Sequence, residues 1–141
     1  MKLITSILIL FFVMPLSAQQ LSEYQWKNRL VVIVATEEGL PMLQEQLTLL
    51  NSEQQELADR KLLICQLMEE KYRIGVSTKE WQAGCAPNRL NESIPSNTPF
   101  TIFLIGLDGG AKMQQTRVVQ PQEIYDMIDQ MPMRRAELRR G

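Results

Sequence analysis

Leu30-Val31-Val32-Ile33-Val34-Ala35 is an unbroken apolar run rich in β-branched residues, the pattern of a strand buried on both faces. Beyond it Gly39 and Pro41 mark a turn and a first helical position, and Leu40, Leu43, Leu47 and Leu50 recur at spacings of three and four. That periodicity predicts an amphipathic helix running to about Ala58. Asn51-Ser52 with Gln55 three residues past the serine is a capping-box pattern, so the stretch reads either as one helix or as two. Leu62 to Met68 is a second buried strand. A strand, a crossover helix and a strand make a β-α-β unit whose strands run parallel.

The pattern weakens between residues 69 and 98, where Gly75, Gly84, Pro87 and Pro95 interrupt it. This stretch is expected to be a partly irregular connection, with one short capped helix over Ser77 to Ala83 around Trp81. A strong strand resumes from Pro99 to Ile105. Asp108-Gly109-Gly110 supplies turn chemistry, and Ala111 to Gln115 can pair back antiparallel. Pro121 opens a last helix with Ile124, Ile128 and Met131 on one face, and Pro132 must end or kink it because its ring would meet the carbonyl of Ile128. The order is β-α-β, connection, β-β-α: an α/β fold with a central mixed sheet.

The first residues do not fit this pattern. Lys2 precedes an apolar run from Ile7 to Met14, and Pro15-Leu16-Ser17-Ala18 precedes the polar Gln19-Gln20. Charge, apolar core and small-residue site in that order are those of a secretory signal peptide over residues 1–18, cleaved after Ala18. The apolar stretch falls short of the roughly 20 residues that cross a bilayer. Gln19 stands where a bacterial lipoprotein would need its cysteine, so the expected product is exported, periplasmic or extracellular, and without a membrane anchor. Residues 19–141 then form a single domain of ordinary size.

Composition removes several functions. The chain of 141 residues has 15 Lys and Arg, 16 Asp and Glu, and no histidine. Without Lys2 the balance is 14 to 16, so no net attraction to nucleic acid is expected. Lack of histidine excludes Ser-His-Asp and Cys-His nucleophile activation and every imidazole-bound metal. Two cysteines cannot build a four-thiolate zinc site, and neither a metal nor a cofactor is expected.

The element order resembles the minimal thioredoxin-like arrangement, and Thr98-Pro99-Phe100-Thr101 resembles the cis-proline loop of that fold. More specific are Trp26-Lys27-Asn28-Arg29-Leu30, Ala58-Asp59-Arg60-Lys61-Leu62, Leu104 to Lys112, and Ile128-Asp129-Gln130-Met131-Pro132-Met133-Arg134-Arg135. Together these resemble the family called domain of unknown function 4174. The resemblance implies a thioredoxin-like, peroxiredoxin-related fold found in exported bacterial proteins and in animal extracellular-matrix proteins with sushi repeats. It implies no established activity.

In such a fold the working site lies past the first strand, where a helix start favours a thiolate. That stretch is Thr36-Glu37-Glu38-Gly39 and holds no cysteine. Thr36 and Gly39 resemble the Thr-x-x-Cys of peroxiredoxins with glycine in place of the nucleophile, against the simpler reading of a turn with two solvated glutamates. Cys65 lies in the second strand and Cys85 in the connection. Three readings stay open: a structural disulfide, worth on the order of 3 kcal/mol by loop closure; a buried Cys65 beside a weakly reactive Cys85; and a reversible redox pair. Asp108 to Lys112 has neither EF-hand nor Walker spacing and reads as a turn. Asp126 and Asp129 share a helix surface without a third ligand. Asn91-Glu92-Ser93 is a sequon that matters only on a eukaryotic secretory route.

Arg134, Arg135, Arg139 and Arg140 crowd the C-terminus. They form either a solvated tail compatible with the helix dipole or an anion-binding group for an envelope polymer or an acidic exported partner. Arg134 and Arg135 also belong to a segment carrying the resemblance, which favours an internal ion pair for them. The expectation is an exported, non-catalytic binding or structural module. The alternative is a thiol-dependent redox or oxidative-stress protein using Cys65 and Cys85.

Overall fold

A computed structural model describes residues 21–75, 80–83 and 93–141. The segment read as a signal peptide, Cys85, and Asn91 and Glu92 of the sequon lie outside the described residues. The order found is β1 (Arg29–Ala35), α1 (Leu40–Asn51), α2 (Gln54–Asp59), β2 (Leu62–Met68), β3 (Lys71–Ile74), β4 (Gln82–Ala83), β5 (Phe100–Ile105), β6 (Ala111–Gln115), α3 (Pro121–Asp129) and α4 (Pro132–Arg140). The six strands form one sheet in the order β4-β3-β2-β1-β5-β6.

Strand β1 lies in the interior of the sheet, parallel to β2 and antiparallel to β5. Side chains alternate between faces along a strand, so β1 serves two cores. Val31, Ile33 and Ala35 stand opposite Leu104, Ile102 and Phe100 of β5 and meet Leu43, Leu47 and Leu50 of α1 and Ile124, Tyr125 and Ile128 of α3. Leu30 and Val32 face the other side with Cys65, Leu67, Phe103 and Ile105, covered in part by Leu21, Tyr24 and Ile94. This is the expected α/β architecture with a mixed sheet, consistent with a thioredoxin-like fold.

The expected connection of residues 69–98 holds more sheet than its sequence suggested. Met68 pairs with Lys71 across the two-residue turn Glu69-Glu70, and β3 runs back antiparallel along β2. Glu69 adopts φ 52° there, in place of the Asn-Gly or Asp-Gly pair that usually marks such a turn. The short helix expected over Ser77 to Ala83 is corrected within its described part, since Gln82 and Ala83 pair with Tyr72 and Lys71 as strand. The long helical stretch is two helices. The capping box is not formed, because Ser52 Oγ donates to the Leu49 carbonyl at 2.8 Å and α2 begins at Gln54 without a side-chain cap. Pro99 is trans, so its loop lacks the cis bond of the one it resembles.

The chain past Pro132 is helix rather than tail. Pro132 occupies the first turn of α4, where a missing N–H costs no hydrogen bond, and the same ring ends α3. No helix among the described residues is long and apolar enough to cross a membrane.

Candidate functional site

The two ends of β1 carry different chemistry. At its C-terminal end Glu37–Gly39 forms a 3-10 turn leading into α1. The Thr36 N–H donates to the Pro99 carbonyl at 2.9 Å, and the Thr36 hydroxyl lies 3.4 Å from the same oxygen. Gly39 packs directly under that carbonyl: a Cβ on residue 39 would stand 1.9 Å from the Pro99 oxygen and 2.8 Å from its carbon. Its φ of -83° is ordinary, so the glycine is required by contact and not by backbone conformation. Thr36, Gly39 and Pro99 thus come together at this end of β1, with the Pro99 carbonyl oxygen filling the space that a side chain on residue 39 would take. Outside this contact a cleft of about 820 Å³ opens, with Glu37, Glu38 and Glu69 on its wall.

Cys65 is elsewhere. It sits in the middle of β2 beside Val32, as a free thiol 2 % exposed, and burial pushes its pKa up to about 12. At neutral pH about one molecule in 10⁵ then carries the thiolate, the form that attacks disulfides and peroxides.

At the N-terminal end of β1 three arginines are buried together: Arg29, Arg60 and Arg134. Arg29 opens β1 and points to the α-helical face, by the same parity as Val31. Its Nη1 donates to the Arg60 carbonyl at 2.9 Å, and Nη1 and Nη2 grip both oxygens of Glu137 at 3.3 and 3.2 Å. Arg60 clamps Asp129 through Nε at 3.1 Å and Nη2 at 2.8 Å, reaches Glu56 at 2.6 Å, and lies 4.5 Å over the Tyr125 ring. Arg134 bonds the carboxylate of Asp59, the Asp59 carbonyl at 3.0 Å and Asp129 at 3.2 Å. Burial on its own would raise the carboxyl pKa values of Asp129 and Glu137. The facing arginines outweigh it and hold both below their ordinary values.

The arginines read together from the sequence therefore separate. Arg134 is an internal residue with its guanidinium occupied, whereas Arg135, Arg139 and Arg140 are exposed. Asp129 belongs to this ionic cluster, whereas Asp126, among the described residues, accepts from Gln122 at 2.6 Å. Among the described residues no group of three or more His, Cys, Asp or Glu side chains could hold a metal. Sequence reasoning missed Arg29, Arg60, Asp59 and Glu137 as one unit. The available signal was an arginine at the head of an apolar strand, a position where an unpaired charge is not tolerated.

Trp26–Leu30, Ala58–Leu62, Leu104–Lys112 and Ile128–Arg135 all meet at this end. The model of the family described as domain of unknown function (DUF4174) matches residues 20–137. The chain belongs to this family. No curated protein and no solved structure matches it. The segments through which the chain resembles DUF4174 proteins thus lie around the arginine cluster, at the opposite end of β1 from the Thr36–Gly39 turn.

A small pocket of about 180 Å³ opens beside the cluster between the start of α4 and the β5–β6 loop, with Arg29, Leu107, Met131, Pro132 and Met133 among its lining residues. The loop is braced by Asp108, which accepts from the Gly110 N–H at 3.0 Å and pairs with Lys112 at 2.8 Å. These bonds hold the Asp108 carboxyl below its ordinary pKa. Trp26 lies alongside, its N–H donating to the Leu107 carbonyl at 2.7 Å. Its φ is 67°, a left-handed conformation that costs an aromatic residue on the order of 1–2 kcal/mol, and its side chain is left outside.

Proposed function

We propose that this chain is an exported, thioredoxin-like domain that has no thiol chemistry of its own and works as a binding or structural module. The observation that carries this is the closure of residue 39 by the Pro99 carbonyl. A redox centre in this fold needs a side chain at the helix start with room for a second reactant, and here a methyl group would already overlap a backbone atom. The buried state of Cys65 agrees with this reading, because its thiol meets neither requirement of a reactive cysteine, exposure or a lowered pKa.

Export through cleavage after Ala18 belongs to the same proposal. A mature N-terminus beginning at Gln19, read by mass spectrometry of the secreted product, supports it, and retention of residues 1–18 refutes it. The module reading is tested by peroxide consumption and dithiol–disulfide exchange on that product, with thiol labelling before and after reduction. The expected result is no turnover. Turnover abolished by Cys85→Ser or Cys65→Ser would replace the module with the thiol-dependent alternative.

A further inference from the structure

We infer that the N-terminal end of β1 is a docking site for an acidic segment of a partner protein, which seats one apolar side chain in the pocket between α4 and the β5–β6 loop. The proposal rests on the reading of the domain as a binding module and names its partner class. Size decides the occupant. At about 180 Å³ the pocket holds the volume of about six waters, below the roughly 300–1,000 Å³ of small-molecule sites. It matches a single anchor residue of the kind that dominates protein interfaces.

Its surroundings fit that use. The walls Leu107, Met131, Pro132 and Met133 are apolar, with Arg29 and the Asp108–Lys112 ion pair also on the lining, and of the three large hydrophobic side chains exposed among the described residues, Met133 (44 %) lines the pocket and Trp26 (63 %) adjoins it through Leu107. Trp and Met are enriched where proteins bind one another. Arg29, a wall residue with its side chain 1 % exposed, keeps its Nε without a hydrogen-bond partner.

Charge supplies the acidic character. Asp59, Asp108, Asp129 and Glu137 at this end are all held in ion pairs. Lys27, beside Trp26, and Arg135, Arg139 and Arg140 on α4 are exposed and enter no ion pair among the described residues. Arg140 is seven residues past Met133, two turns along the same helix face. Arg135 and Arg139 lie toward the far side of α4, so an anchor residue flanked by Asp and Glu would meet Lys27 and Arg140 and be steered to the pocket by the wider basic surface of the helix.

The test uses the purified protein and a panel of short synthetic peptides, Asp-Glu-X-Glu-Asp with X as Leu, Ile, Met or Phe, followed by Trp26 emission. At least one member should bind saturably with a blue shift that disappears in Trp26→Phe. Replacing X by Ala, Met133 by Asp, or Lys27 and Arg140 by Glu should each weaken binding about tenfold or more, and added salt should weaken it further. Met133 is exposed, so Met133→Asp leaves the fold intact and circular dichroism checks this. No response to any peptide overturns the docking site, as does equal binding of Lys-substituted peptides. Concentration-dependent self-association lost in Met133→Asp, without peptide binding, overturns it in favour of a second copy of this chain. Displacement of the peptides by dextran sulfate that Met133→Asp does not affect overturns it in favour of an anionic polymer. Absence of redox turnover with absence of peptide binding leaves the module reading standing and removes only this partner.

Discussion

Glu137→Gln tests the buried charge of Arg29, and to a lesser degree that of Arg134, whose Nη1 lies 3.4 Å from the same carboxylate, because the substitution keeps the shape of the side chain and removes its charge. In the native protein the Arg29 side chain is 1 % exposed and Glu137 20 %, and the two meet through two hydrogen bonds. Among the described residues Arg29 has no other carboxylate, only the Arg60 carbonyl at 2.9 Å. Removing one partner of a buried pair costs about 3–5 kcal/mol because the other charge stays behind unbalanced. Glutamine still offers one oxygen, which returns part of a charged hydrogen bond worth about 1.5–3 kcal/mol, so the expected loss is about 2–3 kcal/mol. For a domain whose whole stability is about 5–15 kcal/mol, that is a large share. In urea, with a slope of about 2 kcal/mol/M, the midpoint should fall by about 1–1.5 M at unchanged slope. Glu123→Gln is the internal control, because Glu123 and its partner Arg117 are 40 % and 55 % exposed and such surface pairs contribute below about 1 kcal/mol. A midpoint shift for Glu137→Gln no larger than for Glu123→Gln would refute the reasoning. The pH dependence gives a second check. Glu137 and Asp129 have folded pKa values below their ordinary 4.5 and 3.8, so the unfolded chain binds protons first as pH falls. Their stabilisation is complete above the ordinary values and is lost as pH drops through the folded ones. Stability from this cluster should be level from pH 7 to about 5.5 and decline below about 4.5, with a shallower decline in Glu137→Gln.

Gly39→Ala should destabilise by about 1–3 kcal/mol through overpacking against Pro99, seen as a lower melting temperature; an unchanged value would mean that the loop yields and the site is not closed. Cys65 should resist a thiol reagent at pH 8 in the native protein and react once unfolded in urea, and rapid native labelling of Cys65, located by peptide mapping, would contradict its burial. Gln46 is fully buried, donates to the Val119 carbonyl at 2.9 Å and accepts from the Val119 N–H at 2.7 Å. Gln46→Leu leaves both backbone groups without partners and should cost about 2–4 kcal/mol in urea unfolding, whereas Thr48→Ala on the exposed side of the same helix should change little.

How much was legible divides by range. The continuous apolar runs of β1, β2 and β5 and the leucine spacing of α1 were readable because burial imposes a local period on the sequence. Gly109, at φ 80°, and the prolines opening α3 and α4 mark conformations that few other residues favour. β3 was hidden although Tyr72 and Ile74 alternate with Lys71 and Arg73, because it is short and its turn uses Glu69 in place of glycine or asparagine. The missing cysteine after β1 was legible, but the closure of residue 39 was not, since Gly39 and Pro99 are 60 positions apart.

The sequence by itself determined the β-α-β and β-β-α halves, the absence of histidine chemistry and the lack of a thiol after β1, because each depends on local pattern or on residue identity. Tertiary structure alone decided that Arg29, Arg60 and Arg134 share one ionic cluster. Its bonds span separations such as 108 residues for Arg29–Glu137 and 75 for Arg134–Asp59. An arginine at the end of a chain has the same local signature whether it is solvated or buried. Only the packing of α4 against the head of β1 turned Arg134 inward and left Arg135, Arg139 and Arg140 outside, and the same packing created the pocket beside Met133.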